Sequence, residues 1–118
     1  MPSLKDTLSD LIKVEGINTA VVVGRDGFVI DGVTNGAGMD IEAVGAVIST
    51  GIGSAEVMGR ELKVGVMSQG MMEYNDGIIV MGFLGRDAVL ACVADTKANL
   101  GNVRYQIKKR SPEIQGTL

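Results

Sequence analysis

Two short runs decide what this chain can fold into. Ile17–Val23 and Ala88–Ala94 are β-rich, and successive positions are apolar from Ala20 to Val23 in the first and throughout the second. Strand side chains alternate between faces, so each run is hydrophobic on both sides and must be covered above and below. Both strands therefore belong at the centre of a sheet sandwiched between two layers. At 118 residues the chain suits a single domain, 1–118, with a core over about 3–110.

The remaining segments supply helices and outer strands. Ser3-Leu4-Lys5-Asp6 has the pattern of a capped helix start, and Leu4, Leu8, Leu11 and Ile12 recur at helical spacing. Gly16 is a stop, which predicts helix one over 3–15. Gly24-Arg25-Asp26-Gly27 predicts a hairpin turn into Phe28–Val33, where Asp31 and Gly32 mark an edge strand. Asp40 caps a helix that runs to about Leu62. Val64–Asn75 reads as an irregular strand interrupted by Gly65 and Gly70. Asp76-Gly77 turns it into Ile78–Leu84, and Gly85-Arg86-Asp87 leads into Ala88–Ala94. Asp95 or Thr96 caps a last helix, Lys97–Arg110, with Leu100, Val103 and Ile107 inward. Ser111-Pro112 is read as its end, because the residue before proline disfavours helix. The order α-β-β-α-β-β-β-α makes an α+β fold with helices over an antiparallel sheet.

Glycine is 17 of 118 residues, about twice the usual share of roughly 7%. Gly45, Gly51, Gly53 and Gly59 fall inside the long helix, each costing about 1 kcal/mol against alanine. Close approach of another backbone is the usual compensation. Gly45-Ser49-Gly53 forms one row of small residues and Gly51-Ala55-Gly59 another. Packing against the chain's own sheet and packing against the same helix of a second subunit both satisfy such rows.

Little here is equipped for catalysis. The chain has no histidine, and its one cysteine, Cys92, lies in an apolar run where a thiol is inert. No phosphate-cradling G-x-x-x-x-G-K-[ST] loop is present, and Val66-Met67-Ser68-Gln69-Gly70 only half-matches a nucleophile elbow. A cofactor is not expected, nor a metal. Net charge is −3, which opposes whole-surface attraction to nucleic acid or anionic lipid. Five of the eleven positives nonetheless crowd the last 22 residues, as Lys97, Arg104, Lys108, Lys109 and Arg110. Such a helix is ordinarily a solvated face. The uninterrupted apolar runs, such as Ile78–Met81 and Ala88–Ala94, are far below a membrane span, and the N-terminus is too charged for a signal peptide. The expectation is a cytoplasmic protein.

Three local signatures, in order and spacing, carry a resemblance. They are the Gly16-Ile17 helix stop, the hairpin Val21-Val22-Val23-Gly24-Arg25-Asp26-Gly27-Phe28-Val29-Ile30, and the closing Lys97-Ala98-Asn99-Leu100-Gly101-Asn102-Val103-Arg104. The chain resembles a roadblock (dynein light chain 7) domain of the bacterial and archaeal branch over residues 3–110. The resemblance implies a profilin-like fold with strand order 2-1-5-4-3, helix two on one face and helices one and three on the other. It also implies a homodimer joined through strand three and helix two, with Gly45, Ser49, Gly53, Met67, Met71 and Met72 at the interface.

Members of that family bind small Ras-like GTPases, as activating regulators or as scaffolds. The family motifs are structural and carry no site residues over; Ser49, Glu56 and Arg60, on the exposed side of the second helix, are the residues expected to meet such a partner. A stimulatory arginine can be worth roughly 10³–10⁵ in rate, and Arg25, Arg60 and Arg86 are the candidates. Stimulation by repositioning the GTPase's own groups is the preferred alternative. Two further readings stand beside this one: a structural adaptor of a transport or cytoskeletal complex without effect on hydrolysis, and a small-ligand sensor or enzyme using the Thr34–Met39 loop.

Overall fold

The computed structural model describes residues 3–36 and 38–118. The elements run α1 (Leu4–Leu11), β1 (Ile17–Gly24), β2 (Val29–Thr34), α2 (Ile41–Glu61), β3 (Gln69–Tyr74), β4 (Gly77–Leu84), β5 (Ala88–Asp95) and α3 (Leu100–Gln115). All five strands form one antiparallel sheet in the order β2-β1-β5-β4-β3. The two doubly apolar runs are β1 and β5, paired with each other at its centre.

Alternation along these strands builds two cores. Ala20, Val22, Leu90 and Cys92 point to one face, under Leu8 and Leu11 of α1 and Val103, Ile107 and Ile114 of α3. Val21, Val23, Val89 and Ala91 point to the other, under Ile48 and Ile52 of α2. The predicted layering is thus the observed one.

Several boundaries differ from the sequence reading. The Ser3–Asp6 capping box is formed, with Asp6 N–H donating to Ser3 Oγ at 3.1 Å. The helix it starts ends at Leu11, not near Glu15. Lys13 and Val14 tighten into three-residue turns, with bonds to Asp10 and Leu11 of 3.2 and 3.1 Å. They bring Gly16, at φ 89°, beneath Ala98, where a Cβ would lie 2.5 Å from the Ala98 nitrogen. No side chain fits that approach.

Strand β3 is shorter than Val64–Asn75, because Lys63 and Gly65 take positive φ of 59° and 96° and turn the chain before it can extend. In β2 the register shifts opposite Val22 and Val23, leaving Ile30 as an extra residue that bends this edge.

Helix α3 is displaced toward the C-terminus at both ends. Asn99 is its N-cap, its side chain accepting from Asn102 N–H at 2.9 Å, while Asp95 closes the preceding turn onto Lys97 N–H. Pro112 does not end the helix. It removes one bond, but burial of Ile114 and the hydrogen bond from Thr7 to Glu113 (3.2 Å) hold the last turn in place. Gly101 is exposed, and a Cβ on it would meet only Asn99.

Candidate functional site

Helix α2 has two flanks with different chemistry. Its buried edge is Gly45, Ile48 and Ile52. At 3.6 residues per turn, Ser49, Gly53, Glu56 and Arg60 fall to one side of that edge and Val44, Val47, Gly51, Ala55, Met58 and Leu62 to the other. The first side is polar and overlooks the β1–β2 turn. The second is apolar and overlooks β4 and β5.

The polar flank is tied down by a clamp. Arg25 Nη1 donates to both carboxylate oxygens of Glu56, at 2.9 and 2.7 Å. The same guanidinium lies 4.9 Å from the Phe83 ring centroid, and its Nε donates to the Arg86 carbonyl. Arg25 N–H also donates to the Asp87 carbonyl at 3.0 Å. The two Gly-Arg-Asp turns therefore dock side by side, a consequence of β1 pairing with β5. Arg25 is engaged within its own chain through Nε and Nη1, and Glu56 has an internal ion-pair partner. Arg60 and Arg86 are exposed, and neither is within ion-pair distance of a carboxylate among the described residues. Arg60 and Lys63 line an open cleft of about 520 Å³ with Gly59, Gly65, Val66 and Met67.

The apolar flank lies uncovered. Val47 is 69% exposed, Met58 59% and Leu62 72%. Beside it an open apolar groove of about 390 Å³ runs between Met39, Ala43, Val44 and Val47 above and Ile79 and Val93 of the sheet below. Beyond β4 lies β3, whose outer edge has no strand partner among the described residues.

The glycines of α2 separate along the same line. A Cβ on Gly45 would lie 2.5 Å from Val29 Cγ2, and one on Gly59 would lie 2.6 Å from the Gly65 carbonyl oxygen. Both serve contacts within the chain, so Gly45, placed at an intersubunit interface from the sequence, is instead buried against its own β2. Ser49 faces its own turn glycine, Gly27. Gly51 and Gly53 meet nothing within 4 Å. Of the two small-residue rows, the one through Gly51 and Ala55 lies on the open apolar flank. Met71 is exposed on β3, while Met67 and Met72 pack partly into the α2-side core. The exposure of Val47, Met58 and Leu62 does not follow from the small-residue rows; the period-3.6 stripe they form is the sequence signal for it.

Helix α2 is also long and apolar enough to cross a membrane, with a mean hydropathy of 1.3, although no uninterrupted run suggested it. One edge of it already packs on the sheet, one flank is polar, and its exposed apolar residues form the uncovered flank. The Thr34–Met39 loop gathers no polar side chains toward a ligand among the described residues; Ala37 lies outside them. Thr34 Oγ1 bonds Thr19 Oγ1 at 2.9 Å and accepts from Gly36 N–H at 3.0 Å. No cluster of acidic or cysteine side chains suited to a metal occurs among the described residues. Burial pushes the Cys92 thiol up to about 12, so it is protonated and unreactive at neutral pH.

A five-stranded antiparallel sheet in this order, with one helix on one face and two on the other, defines the profilin-like α+β class. Acanthamoeba castellanii profilin IB shares it, with a TM-score of 0.59 at 15% identity over 86% of each chain. Myxococcus xanthus MglB superposes more fully, with a TM-score of 0.88 at 18% identity over 96% of this chain and 92% of that one. The family profile of the Roadblock/LC7 domain matches residues 4–94, and the chain belongs to that family. The uncharacterized protein MJ0310 of Methanocaldococcus jannaschii is 37% identical over 108 residues, covering 92% of this chain and 93% of its own.

Proposed function

We propose that this chain is a cytoplasmic, non-enzymatic homodimeric module that binds a small Ras-like GTPase, regulating it or positioning it. The observation that carries the reading is the uncovered apolar flank of α2 lying beside the free edge of β3. Exposed apolar surface of this kind, on the β3 side of the helix, together with an open strand edge, suits a second copy of the same chain better than water. Antiparallel pairing of β3 with its counterpart would extend the sheet, and Gly51 and Ala55 would let the two α2 helices approach. Met71 belongs to the same interface. The polar flank, with Ser49, Gly53 and Arg60 accessible and Glu56 held by Arg25, is then left for the GTPase. Family membership supports the choice of partner class.

Two variants separate the flanks. Gly51→Trp enters open space in the protomer, so it should leave the fold intact and yield a monomer in sedimentation. Gly53→Trp should leave the dimer and block the GTPase. A Gly51→Trp protein that remains dimeric would sink the assignment of the apolar flank. Single-turnover GTP hydrolysis by the cognate GTPase, with and without this protein, then decides between regulation and scaffolding. Tight binding with unchanged hydrolysis would leave the adaptor reading.

A further inference from the structure

The opposite layer carries a charge pattern that the α2 reading does not use. The terminal segments 3–16 and 96–118, which hold α1 and α3, contain seven basic residues against four acidic. Residues 17–95 contain four basic against ten acidic. The molecule is therefore electrically two-faced, positive over the terminal helices and negative elsewhere. Three of the four acids in the positive layer are engaged locally. Asp6 caps α1, Asp10 pairs with Lys13 at 3.4 Å and reaches Arg110 at 4.0 Å, and Glu113 accepts from Thr7.

Helix α3 concentrates the excess. Val103, Ile107 and Ile114 anchor it on the sheet, which turns Arg104, Tyr105, Lys108 and Lys109 outward. None of these three cations is within ion-pair distance of a carboxylate among the described residues. Lys109 Nζ instead sits 5.9 Å from the Tyr105 ring centroid. Two internal causes of a basic helix face are absent. There is no basic residue in the last turn, so the charges do not complement the helix dipole. No glutamate stands four residues before any of them, and Arg104 and Lys108, one turn apart, repel each other. The one acid a turn away, Glu113 four residues beyond Lys109, forms no ion pair with it among the described residues, which leaves this like-charge row open to an external anion.

We propose that the outward face of α3 docks the protein on an anionic lipid surface, with Arg104, Lys108 and Lys109 among the headgroups and Tyr105 at their level. A planar surface suits the two-faced charge better than a polyanion in solution. The face is a helix ridge rather than a groove, and lysine supplies point charges without the planar fork that selects a particular carboxylate or phosphate. The shortest extent of the molecule is 25 Å, well beyond the Debye length of about 8 Å at physiological salt. Its acidic side can thus face away from the lipid without being repelled, whereas a nucleic acid or acidic chain free to wrap would meet it. Tyrosine is also at home at a membrane interface. This docking goes beyond the GTPase reading, does not depend on it, and holds for one copy or two.

Co-sedimentation with vesicles tests it. The protein should pellet with phosphatidylcholine vesicles containing 30% phosphatidylglycerol (a composition of about this order suffices) at low salt, and not with pure phosphatidylcholine. High salt should release it. The variant Arg104→Gln/Lys108→Gln/Lys109→Gln, whose side chains are exposed, should keep its thermal midpoint and lose roughly a hundredfold in partitioning. The control Arg60→Gln/Lys63→Gln, on the acidic side, should partition as the parent does. Absence of binding to the anionic vesicles would overturn the proposal, as would equal loss in the control or undiminished binding by the triple variant. Binding to polyglutamate but not to vesicles would overturn it in favour of an acidic protein partner.

Discussion

Alanine at Gly59 and alanine at Gly51 should have opposite effects, although both replace a glycine in the same helix. Each gains about 1 kcal/mol in helix propensity. At Gly59 the new Cβ would sit 2.6 Å from the Gly65 carbonyl oxygen, which belongs to backbone and cannot rotate away. The same segment is pinned by the Val64 N–H bond to the Gly59 carbonyl at 3.0 Å. Overpacking of this kind costs about 1–3 kcal/mol, so Gly59→Ala should come out destabilised by up to about 2 kcal/mol. At Gly51 nothing lies within 4 Å, so the protomer should gain the full propensity term. With a urea slope of about 1–2 kcal/mol/M, the Gly51→Ala midpoint should rise by roughly 0.5–1 M under conditions where the protein is monomeric. At concentrations where copies associate, the added methyl should weaken pairing and the gain should shrink. Urea titrations at two protein concentrations, with sedimentation equilibrium at each, read both effects. A stabilised Gly59→Ala would refute the close-approach argument. A Gly51→Ala gain that is equal at every concentration, with unaltered association, would refute the intermolecular one.

Three further outcomes follow from other features. Breaking the clamp with Arg25→Ala or Glu56→Ala should cost no more than about 1 kcal/mol, because the pair is partly exposed at 38% and 29%; a double-mutant cycle measures the coupling, and none would reduce the clamp to a surface contact. Lys63→Gly should stabilise the protein by about 1 kcal/mol in thermal unfolding, since a non-glycine residue at φ 59° is strained; a loss would mean the lysine side chain makes a compensating contact. The Cys92 thiol, raised from 9.0 to about 12, keeps its proton in the folded state. Its contribution is complete below pH 9 and falls as pH rises through 9 toward 12, by roughly 1 kcal/mol per unit. Cys92→Ala should flatten that part of the stability curve, and an identical slope in both proteins would show that other groups set it.

The architecture was legible because it rests on alternation. Val21 and Val23 on one face and Ala20 and Val22 on the other announce a strand covered twice, and nothing in the tertiary structure overrides that. Helix ends were less legible where a distant contact decides them. Gly16 could not reveal that Ala98 lies above it, nor Pro112 that Ile114 would be buried beyond it. The site was half legible. Four glycines in α2 marked close approach, yet which were satisfied inside the chain depended on Val29 and Gly65, far off in sequence or across a turn. The Arg25–Glu56 clamp was invisible for the same reason: it joins residues 31 positions apart across two layers.

The pairing of β1 with β5 has a consequence for synthesis. Ile17 lies opposite Ala94, and Gly24 opposite Ala88, so the centre of the sheet joins strands made early to strands made late. Until β5 has left the ribosome, β1 has a strand partner on one side only, and its apolar faces have only α1 and α2 to cover them. Helix α1 waits longer still, for the Glu113 that its Thr7 bonds. Closure of so distant a pair is slow by its topology. A ribosome pausing between α2 and β5 would hold an exposed hydrophobic hairpin open to capture, and the nascent chain would be most dependent on chaperones over that interval.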